Sequence, residues 1–548
     1  MPSRKPRAST CASRLSPISL ADAFVDRSRL VELTGLTWLL ALLPVLAVLL
    51  LMVGFGWGGG RAGVAGFLTA LLLALLVFGG DALLAIVAIG KSVFLAADVL
   101  YIVWMALFFY NVTNEAGTVA LIGRSLPRLT PDRAAQSLLI SWIFVSLLQG
   151  VGGFGVPVAV VAPLLVGLGY SATQSVIMAS LGHGWAVTFG SLGTSFVALT
   201  AVTGLPGERL AHDAALTLGL ACLISGALVA YVSAGWSGLL RSLPMLLAVG
   251  AAMGLTQWFV ATQGLWTLGS TSGALAGAFA GVAYVLSPLG RSKTKRAAAQ
   301  ADSSRSLVLA LAAYAILLLL AFSVNLIAPL ETLMDSILIQ VRFPAVATTY
   351  GWEVPTESGR GISLFGHAGA ILFYAGALAF LLYKRANYFE RDDAWRVIWR
   401  KVSKSALKST VSILALVAMA SLMTHTGMTQ IIARGISETV SAQVYPLFAP
   451  FIGSLGAFMT GSNTNSNVVF GALQQETAAL LALSVPIVLA GQTAGASLGS
   501  VLAPAKIIVG CSTVGLGGQE GPVIRRMLLL GLIPVLFVAL VTFLRLSG

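Results

Sequence analysis

Long apolar runs separated by short polar segments dominate the chain. Runs of roughly 18 to 22 residues are long enough to cross about 30 Å of hydrocarbon as a helix; they include residues 36–55, 62–78, 214–233, 243–260, 307–327 and 528–544. We expect about 11 to 14 such transmembrane segments. The weak alternating strands of a membrane barrel are absent from the pattern. Because only helices and closed barrels satisfy their backbone groups in lipid, the pattern predicts an all-α polytopic membrane protein.

Composition and charge strengthen this prediction. Hydrophobic residues make up 57% and charged residues 10% of the 548 residues, against about 25% charged in a soluble protein. The formal charge of +13 comes from short basic segments at 4–29, 124–133, 291–305 and 384–408. Such segments are typical of cytoplasmic loops that contact phospholipid, so we expect a lipid bilayer and no nucleic acid as partner. The expected location is a bacterial-type inner (plasma) membrane, crossed many times.

The second half of the chain repeats the first. Gly117 and Gly427 each follow an apolar span and precede an amphipathic segment, and 427 − 117 = 310. The same offset relates Gly155 to Asn465, and residues 182–195 to residues 492–505. The segment after Gly117 carries a basic, cytoplasmic charge pattern, whereas the span before Gly427 ends outside by the same charge rule. We therefore predict two inverted repeats with broken helices and re-entrant hairpins, as in many secondary transporters.

The predicted organisation has five parts. They are a cytoplasmic basic tail (1–33), a first transmembrane repeat (34–287), a basic linker (288–305), a second transmembrane repeat (306–522) and a C-terminal transmembrane helix (523–548). Whether residues 81–95 cross the membrane is left open by the sequence. The side of the N-terminus depends on that crossing.

Glycine and polar residues interrupt the apolar spans at four places, two per repeat: 149–157, 182–195, 461–467 and 491–500. Such interruptions are tolerated where the backbone lines a cavity. In the first, a helix that restarts after Gly155, with Pro157 in its first turn, would present unpaired N–H groups and a positive dipole end to a carboxylate. The third contains six consecutive polar residues. For the second and fourth, packing of small residues between helices is the alternative explanation.

Few ionisable residues lie within the spans, where they are costly and usually functional. His183 lies inside the second interruption. Lys506 either offsets a bound anion or extends to the membrane surface. Asp98 and Glu115 are either site residues or solvated acids near a surface. The complete set is Asp98, Glu115, His183, His425, Glu476, Lys506 and Glu520.

Several of these segments resemble the signatures of the lactate permease family. They are Gln149-Gly-Val-Gly-Gly-Phe-Gly-Val-Pro157 with the apolar arm after it, Phe189-Gly-Ser-Leu-Gly-Thr194, and the segments 458–467, 492–495 and 514–521. The resemblance extends over nearly the whole chain. It implies uptake of a short 2-hydroxymonocarboxylate, such as lactate or glycolate, by proton symport. Residues 462–464 are also similar to the carboxylate-binding Ser-Asn-Thr triplet of the wider ion transporter superfamily.

The interruptions and the resemblance together predict the site residues. Substrate contacts are expected from Gln149, Gly153, Gly155, Thr188, Ser191, Thr194, Ser195, Ser462, Asn463, Thr464, Asn465, Asn467, Gln492 and Thr493. Candidates for coupling to an ion are His183, Glu115, Glu476 and Lys506. Cys11, Cys222 and Cys511 have no ligand or pairing spacing, so we expect no metal site and no cofactor.

The chain departs from the family pattern at three site positions. Gln149 replaces a usual Glu, Asn463 a usual Asp, and His183 a common Asn. Proton coupling could then depend on His183, which titrates near neutral pH. Alternatively, the neutral groups bind sodium at an unwound helix, or the substrate is a more highly charged sulfonate or dicarboxylate.

Two other classes of protein remain in competition with a transporter. An ion channel usually builds its filter from symmetric subunits rather than from one internal inverted pair. An intramembrane enzyme would need a nucleophile with a base, and Ser191 and His183 have no recognisable third partner. We therefore expect a transporter of a small organic anion together with a proton or sodium, and no enzyme activity; a homo-oligomer is compatible with the sequence.

Overall fold

The computed structural model describes residues 32–55, 57–125, 129–151, 155–288, 306–359, 361–516 and 519–547. Nearly all of the predicted basic tail, nearly all of the basic linker and Gly153 lie outside the described residues. Within them the chain forms 21 α-helices, with short π or 3₁₀ turns at Leu139–Phe144, Gly184–Ala186, Ala261–Leu265 and Trp266–Leu268.

The helices of the first half are α1 (Gly35–Val53), α2 (Gly59–Leu76), α3 (Ala82–Glu115), α4 (Thr118–Ser125), α5 (Arg133–Leu138), α6 (Val145–Val151), α7 (Val156–Gly167), α8 (Ala172–Gly182), α9 (Thr194–Thr203), α10 (Gly207–Val260) and α11 (Gly269–Leu286). Those of the second half are α12 (Leu307–Leu326), α13 (Ala328–Met334), α14 (Ala368–Arg385), α15 (Ala394–His425), α16 (Met428–Thr439), α17 (Tyr445–Thr460), α18 (Asn463–Leu480), α19 (Val485–Ser500), α20 (Pro504–Thr513) and α21 (Glu520–Ser547).

Eight helical segments within the described residues are long and apolar enough to cross a membrane: Gly35–Met52, Gly59–Leu76, Ala82–Glu115, Arg133–Val151, Gly207–Leu286, Ala368–Arg385, Ala394–His425 and Glu520–Ser547. The 80-residue segment is more than one span, because α10 kinks at Ala234 and Gly235. That kink separates the predicted runs 214–233 and 243–260. Residues 82–95, whose crossing the sequence left open, form the start of the single 34-residue helix α3. The protein is a multi-pass membrane protein.

One small element departs from the all-α prediction. Residues 338–363 form a long antiparallel hairpin of six two-residue strands: β1 (Leu338–Ile339), β2 (Arg342–Phe343), β3 (Val346–Ala347), β4 (Glu353–Val354), β5 (Glu357–Ser358) and β6 (Ile362–Ser363). They pair as β1 with β6, β2 with β5 and β3 with β4. The turn uses Gly351 at φ 78°. Phe343 on the hairpin packs edge-on against Phe94 of α3.

Helices α3 and α15 pack side by side and run in opposite directions. At one end, the Thr349 N–H of the hairpin donates to the Gly79 carbonyl just before α3 (2.8 Å), and the Trp352 indole donates to the Thr424 carbonyl at the end of α15 (3.1 Å). At the other end, Lys401 near the start of α15 pairs with Glu115 at the end of α3. Each long helix is therefore fixed at both ends, one end by the hairpin and the other by a basic segment.

The predicted repeat offset holds at two landmarks of the structure. Gly117 (φ 70°) and Gly427 (φ 76°) both leave a long helix in the left-handed conformation that favours glycine. Helices α9 and α20 both contain 10 residues and begin at positions 194 and 504, and 504 − 194 = 310. The offset does not hold at α7 and α18, because their N-caps are Gly155 and Ser462, and 462 − 155 = 307.

Two of the four predicted interruptions need correction. The prediction of a break within 491–500 is wrong, since α19 continues through Ser500 and the chain leaves the helix only at 501–503. The six polar residues 462–467 are also not all outside helix. Ser462 is the N-cap of α18, and Asn463 to Asn467 form its first turns. Polar side chains fit within these helices because residues of neighbouring segments form hydrogen bonds with them.

Candidate functional site

Four helices begin close together in the interior of the protein. Ser195 in the first turn of α9 lies beside Thr464 in the first turn of α18, with their hydroxyl oxygens 3.0 Å apart. A Cβ atom added to Gly155, the N-cap of α7, would lie 4.0 Å from Cγ of Lys506 in the first turn of α20. A Cβ atom at Gly461, just before α18, would lie 3.9 Å from the Cβ of Ala503, the N-cap of α20. These contacts link all four helix starts.

The four helices leave this point as two parallel pairs. Along α9 and α18, the contact between their first turns is followed by a second contact, between Leu199 and Gly471. Along α7 and α20, Val158 reaches Gly510. Since each helix runs away from the common point, each directs its unpaired N–H groups and positive dipole end towards it. The arrangement favours a bound anion.

Side chains from three of the predicted segments form a hydrogen-bonded network, which we call the central cluster: Thr188, Ser195, Asn463, Thr464, Asn467 and Thr493. The Asn463 amide donates to the Thr188 hydroxyl (2.9 Å), which itself donates to the Thr493 carbonyl (3.1 Å). The Asn467 amide donates to the Thr493 hydroxyl (2.8 Å) and the Ser195 carbonyl (2.9 Å). All six residues are buried. A buried network of this kind fixes its members in one arrangement.

Three amide oxygens in this region make no hydrogen bond within the described part of the chain: Gln149 Oε1, Asn463 Oδ1 and Asn467 Oδ1. A buried acceptor without a donor costs about 1–3 kcal/mol. These oxygens are therefore suited to a hydroxyl group or a cation that enters the site.

Backbone strain marks the second interruption, which contributes Thr188 and Ser195 to the central cluster. Ser191 and Leu192 have φ angles of 46° and 53°, a conformation that costs a non-glycine residue of the order of 1–3 kcal/mol. Their N–H groups donate to the carbonyls of Gln149 (2.7 Å) and Gly150 (3.0 Å). The strained turn thus joins the second interruption to the end of α6, next to the first interruption.

Two ionisable residues, Lys506 and His183, lie on segments next to those that form the central cluster. The half-buried Lys506 ammonium donates to the buried Ser500 hydroxyl (3.2 Å). The His183 ring shares a hydrogen bond between Nδ1 and the Ala179 carbonyl (2.8 Å), while its Nε2 has no partner among the described residues. The Lys506 charge also acts electrostatically on His183.

Ser497 and Ser500 are site residues that the sequence analysis missed. The Ser497 hydroxyl donates to the Gly184 carbonyl (2.7 Å) and accepts from the Thr188 N–H (3.2 Å), so it fixes the second interruption against α19. Both serines follow Thr493 at helical spacing, four and seven residues later. That spacing on one helix face was the signal that could have found them.

The structure places several other predicted site residues elsewhere. The Asn465 amide donates to Ser412 of α15 (3.1 Å), and Gln492 contacts Ser466 (3.2 Å). Glu115 pairs with Lys401 at the basic end of α3. Thr194 caps the strained turn by donating to the Ser191 carbonyl (2.5 Å).

Glu476 lines a cavity of about 620 Å³ at the far ends of α9 and α18. The hairpin and α15 also line it, through Trp352, Glu357 and His425. Of the α9 residues that line the cavity, Thr200 is the one nearest to the central cluster. It lies five residues beyond Ser195, or about 7.5 Å along a helix. The cavity therefore leads along α9 and α18 towards the central cluster.

Comparison with known proteins identifies the family. The family model described as L-lactate permease matches residues 37–547. The chain belongs to the L-lactate permease family. It is accordingly a transporter and not an enzyme.

Relatives of this permease match along most of their length. The glycolate permease GlcA of Escherichia coli (strain K12) is 25% identical over 549 aligned residues, covering 93% of this chain and 96% of that relative. The L-lactate permease of Bacillus subtilis (strain 168) is 25% identical over 524 residues, covering 89% and 92%.

Two solved structures are similar at a lower level. The YdaH transporter of Alcanivorax borkumensis matches with a TM-score of 0.47 and 13% identity, covering 83% of this chain and 86% of that chain. MtrF of Neisseria gonorrhoeae matches with a TM-score of 0.44 and 15% identity, covering 87% and 84%.

Proposed function

We propose that this permease takes up a small 2-hydroxycarboxylate, of the lactate or glycolate type, by proton symport across the bacterial cytoplasmic membrane. The observation that carries the proposal is the convergence of four helix N-termini, one of them with Lys506 in its first turn, where two of the helices contribute to a buried polar cluster. Those groups together offer a carboxylate both hydrogen-bond donors and positive charge. The names of the relatives, L-lactate and glycolate permease, agree with this substrate class.

The three amide oxygens that have no partner among the described residues favour a 2-hydroxy acid over a simple carboxylate. A hydroxyl group next to the carboxylate would donate to one of them, at Gln149, Asn463 or Asn467. A site built to bond a substrate hydroxyl discriminates strongly against an analogue without it, because its polar groups are then left unpaired.

A more highly charged sulfonate or dicarboxylate is the second candidate. It is favoured by the neutral residues Gln149 and Asn463, where the resemblance led us to expect acids. Competition by a panel of lactate, glycolate, sulfolactate, malate and acetate against labelled lactate uptake in vesicles tests both candidates. Lactate and glycolate should compete well and acetate poorly. Strongest competition by sulfolactate or malate would favour the second candidate.

The two halves are proposed to be inverted repeats that place the substrate between broken helices. In this arrangement the hairpin lies outside and the basic start of α15 lies in the cytoplasm. Helices α9 and α18 then extend from the central cluster to the outer face, and α7 and α20 extend to the inner face. Motion of one part against the other around a fixed site would give alternating access. The domain limits and the 11 to 14 crossings stated above remain part of this proposal.

Asn463 should contribute more to substrate binding than Asn465. The Asn463 amide lies in the central cluster, whereas the Asn465 amide is bonded to Ser412. We expect Asn463→Ala to weaken binding of lactate by about 1–3 kcal/mol, the cost of removing a buried partner. Asn465→Ala, the matched control on the same helix, should change binding by less. Binding of labelled lactate to purified protein measures both, and equal losses in the two variants would contradict the assignment of Asn463.

Proton coupling is proposed to involve His183, whose buried Nε2 has no partner in the part of the chain that the structure describes and which lies near Lys506. Sodium coupling is the alternative, because the free amide oxygens are acceptable sodium ligands. We expect wild-type vesicles to accumulate lactate under an imposed pH gradient and not under a sodium gradient. His183→Asn should lose the pH-driven accumulation. Persistence of that accumulation in the variant would reject His183, and accumulation driven only by sodium would reject proton coupling.

A further inference from the structure

A second cavity, of about 450 Å³, is separate from the cavity that contains Glu476, although Trp266 lines both. It reaches from the base of the hairpin, at Leu338 and Ser363, to Leu192 and Val197. Leu192 belongs to the strained turn of the second interruption and adjoins Ser191. The cavity therefore connects the hairpin end of the protein with the second interruption, which contributes Thr188 and Ser195 to the central cluster.

Asp98 lines this cavity, and an acidic residue is unusual at such a buried position. It lies near the middle of α3, 2% exposed. Glu115 follows Asp98 by 17 positions, about 25 Å along a helix, so the Asp98 carboxyl group lies far from the basic end. The alternative that Asp98 is a solvated surface acid is therefore wrong. An acid buried within a membrane-crossing helix is costly and usually serves a function.

His367 is the partner of Asp98, with its Nε2 2.9 Å from Asp98 Oδ1. The Gly369 N–H donates to His367 Nδ1 (3.1 Å), so a neutral imidazole carries its proton on Nε2 and donates it to Asp98. The Tyr101 ring stacks on the imidazole at 4.9 Å with a 4° angle between the planes. These three contacts hold the ring in one orientation.

We propose that Asp98 and His367 form the proton-binding pair through which the proton enters from the outer face. The inference rests on the proton coupling proposed above and adds a second titrating site to His183. The pair takes up one proton from the cavity, and the strained turn beside it transmits the change in charge to the central cluster. Only a proton moves, and no covalent bond between heavy atoms is formed or broken.

Among the described residues, Asp335 and Tyr101 are titratable groups near the pair, and Tyr374 lies near Tyr101. Asp335 lines the same cavity near His367. Tyr101 stacks on the imidazole, and Tyr374 of α14 interacts electrostatically with Tyr101. Asp335 offers a matched test, because it shares the cavity with the pair and does not contact the central cluster in any described interaction.

The test compares two transport modes in vesicles that contain purified permease. Under a gradient of one pH unit, symport of one proton with one anion accumulates lactate about tenfold. We expect Asp98→Asn and His367→Gln to reduce this accumulation to about onefold, because neither new side chain titrates. Exchange of labelled for unlabelled lactate without a gradient should persist in both, within about threefold of wild type. Asp98→Glu should restore part of the accumulation, and Asp335→Asn should retain nearly all of it.

The results that would contradict this inference lead to different conclusions. Full accumulation in Asp98→Asn would overturn this inference and leave the proposed function intact. If Asp98→Asn and Asp98→Glu both lost exchange as well as accumulation, the inference would also be overturned, since the pair would then be structural. Absence of pH-driven accumulation in the wild type would overturn the proposed proton coupling as well.

Discussion

Replacement of Lys506 by glutamine is expected to weaken lactate binding by about 2–5 kcal/mol, a loss of roughly 30- to 5,000-fold. The ammonium donates to the buried Ser500 hydroxyl, and the Cγ atom of the same side chain lies near Gly155 at the start of α7. In the proposed complex it is the formal positive charge beside the carboxylate. Its removal would leave the anion with only hydrogen-bond donors and partial helix charges. Binding of labelled lactate to purified protein, with a thermal unfolding curve to verify folding, measures the effect.

Two further variants separate charge from position. Lys506→Arg keeps the charge and should retain more affinity than the glutamine variant. Lys401→Gln is a distant control, because Lys401 is half exposed and pairs with Glu115 at the basic end of α3. Loss of such an exposed pair should cost about 0–1 kcal/mol of stability and leave binding nearly unchanged. If Lys506→Gln bound lactate as tightly as wild type, Lys506 would only extend towards the membrane surface.

The sequence predicted the helix breaks where glycine disrupts the backbone itself. Gly155 and Gly193 have φ angles of 84° and 71°, and each precedes a new helix. Such helix breaks can be recognised in the sequence because glycine adopts this conformation at little cost. The proposed repeat rests on the same property, since Gly117 and Gly427 both end a long helix in this conformation.

The sequence did not predict which polar residues stay within a helix. Thr493 and Ser497 look like helix interruptions in the sequence, yet α19 carries them on regular turns because Asn467, Thr188 and Gly184 provide their hydrogen-bond partners. Those partners come from segments up to about 300 residues away, and local patterns do not reveal them. The burial of Asp98 escaped prediction for the same reason, because His367 lies 269 residues further along the chain.

Substitution of Gly495 by alanine is expected to have a large effect on stability. Helices α17 and α19 approach closely, and a Cβ atom at Gly495 would lie 1.9 Å from the Pro450 carbonyl oxygen. Cβ atoms added to Gly453 and Gly499 would likewise lie 2.1 and 2.3 Å from carbonyl oxygens of the facing helix. The glycines of segment 491–500 are therefore explained by the packing of small residues between helices, which was the alternative explanation for the fourth interruption. The obstacle is backbone rather than a flexible side chain, so the helices must separate.

The expected cost of Gly495→Ala is about 1–3 kcal/mol of overpacking or more, which exceeds the gain of about 1 kcal/mol in helix propensity. Thermal unfolding of the detergent-solubilised protein should show a lower Tm, and binding should weaken because α19 also carries Thr493 and Ser497. Gly521→Ala in the first turn of α21 is the matched control, because its Cβ atom would meet nothing within 4 Å. A wild-type Tm for Gly495→Ala would mean that α17 and α19 are not held in this close contact.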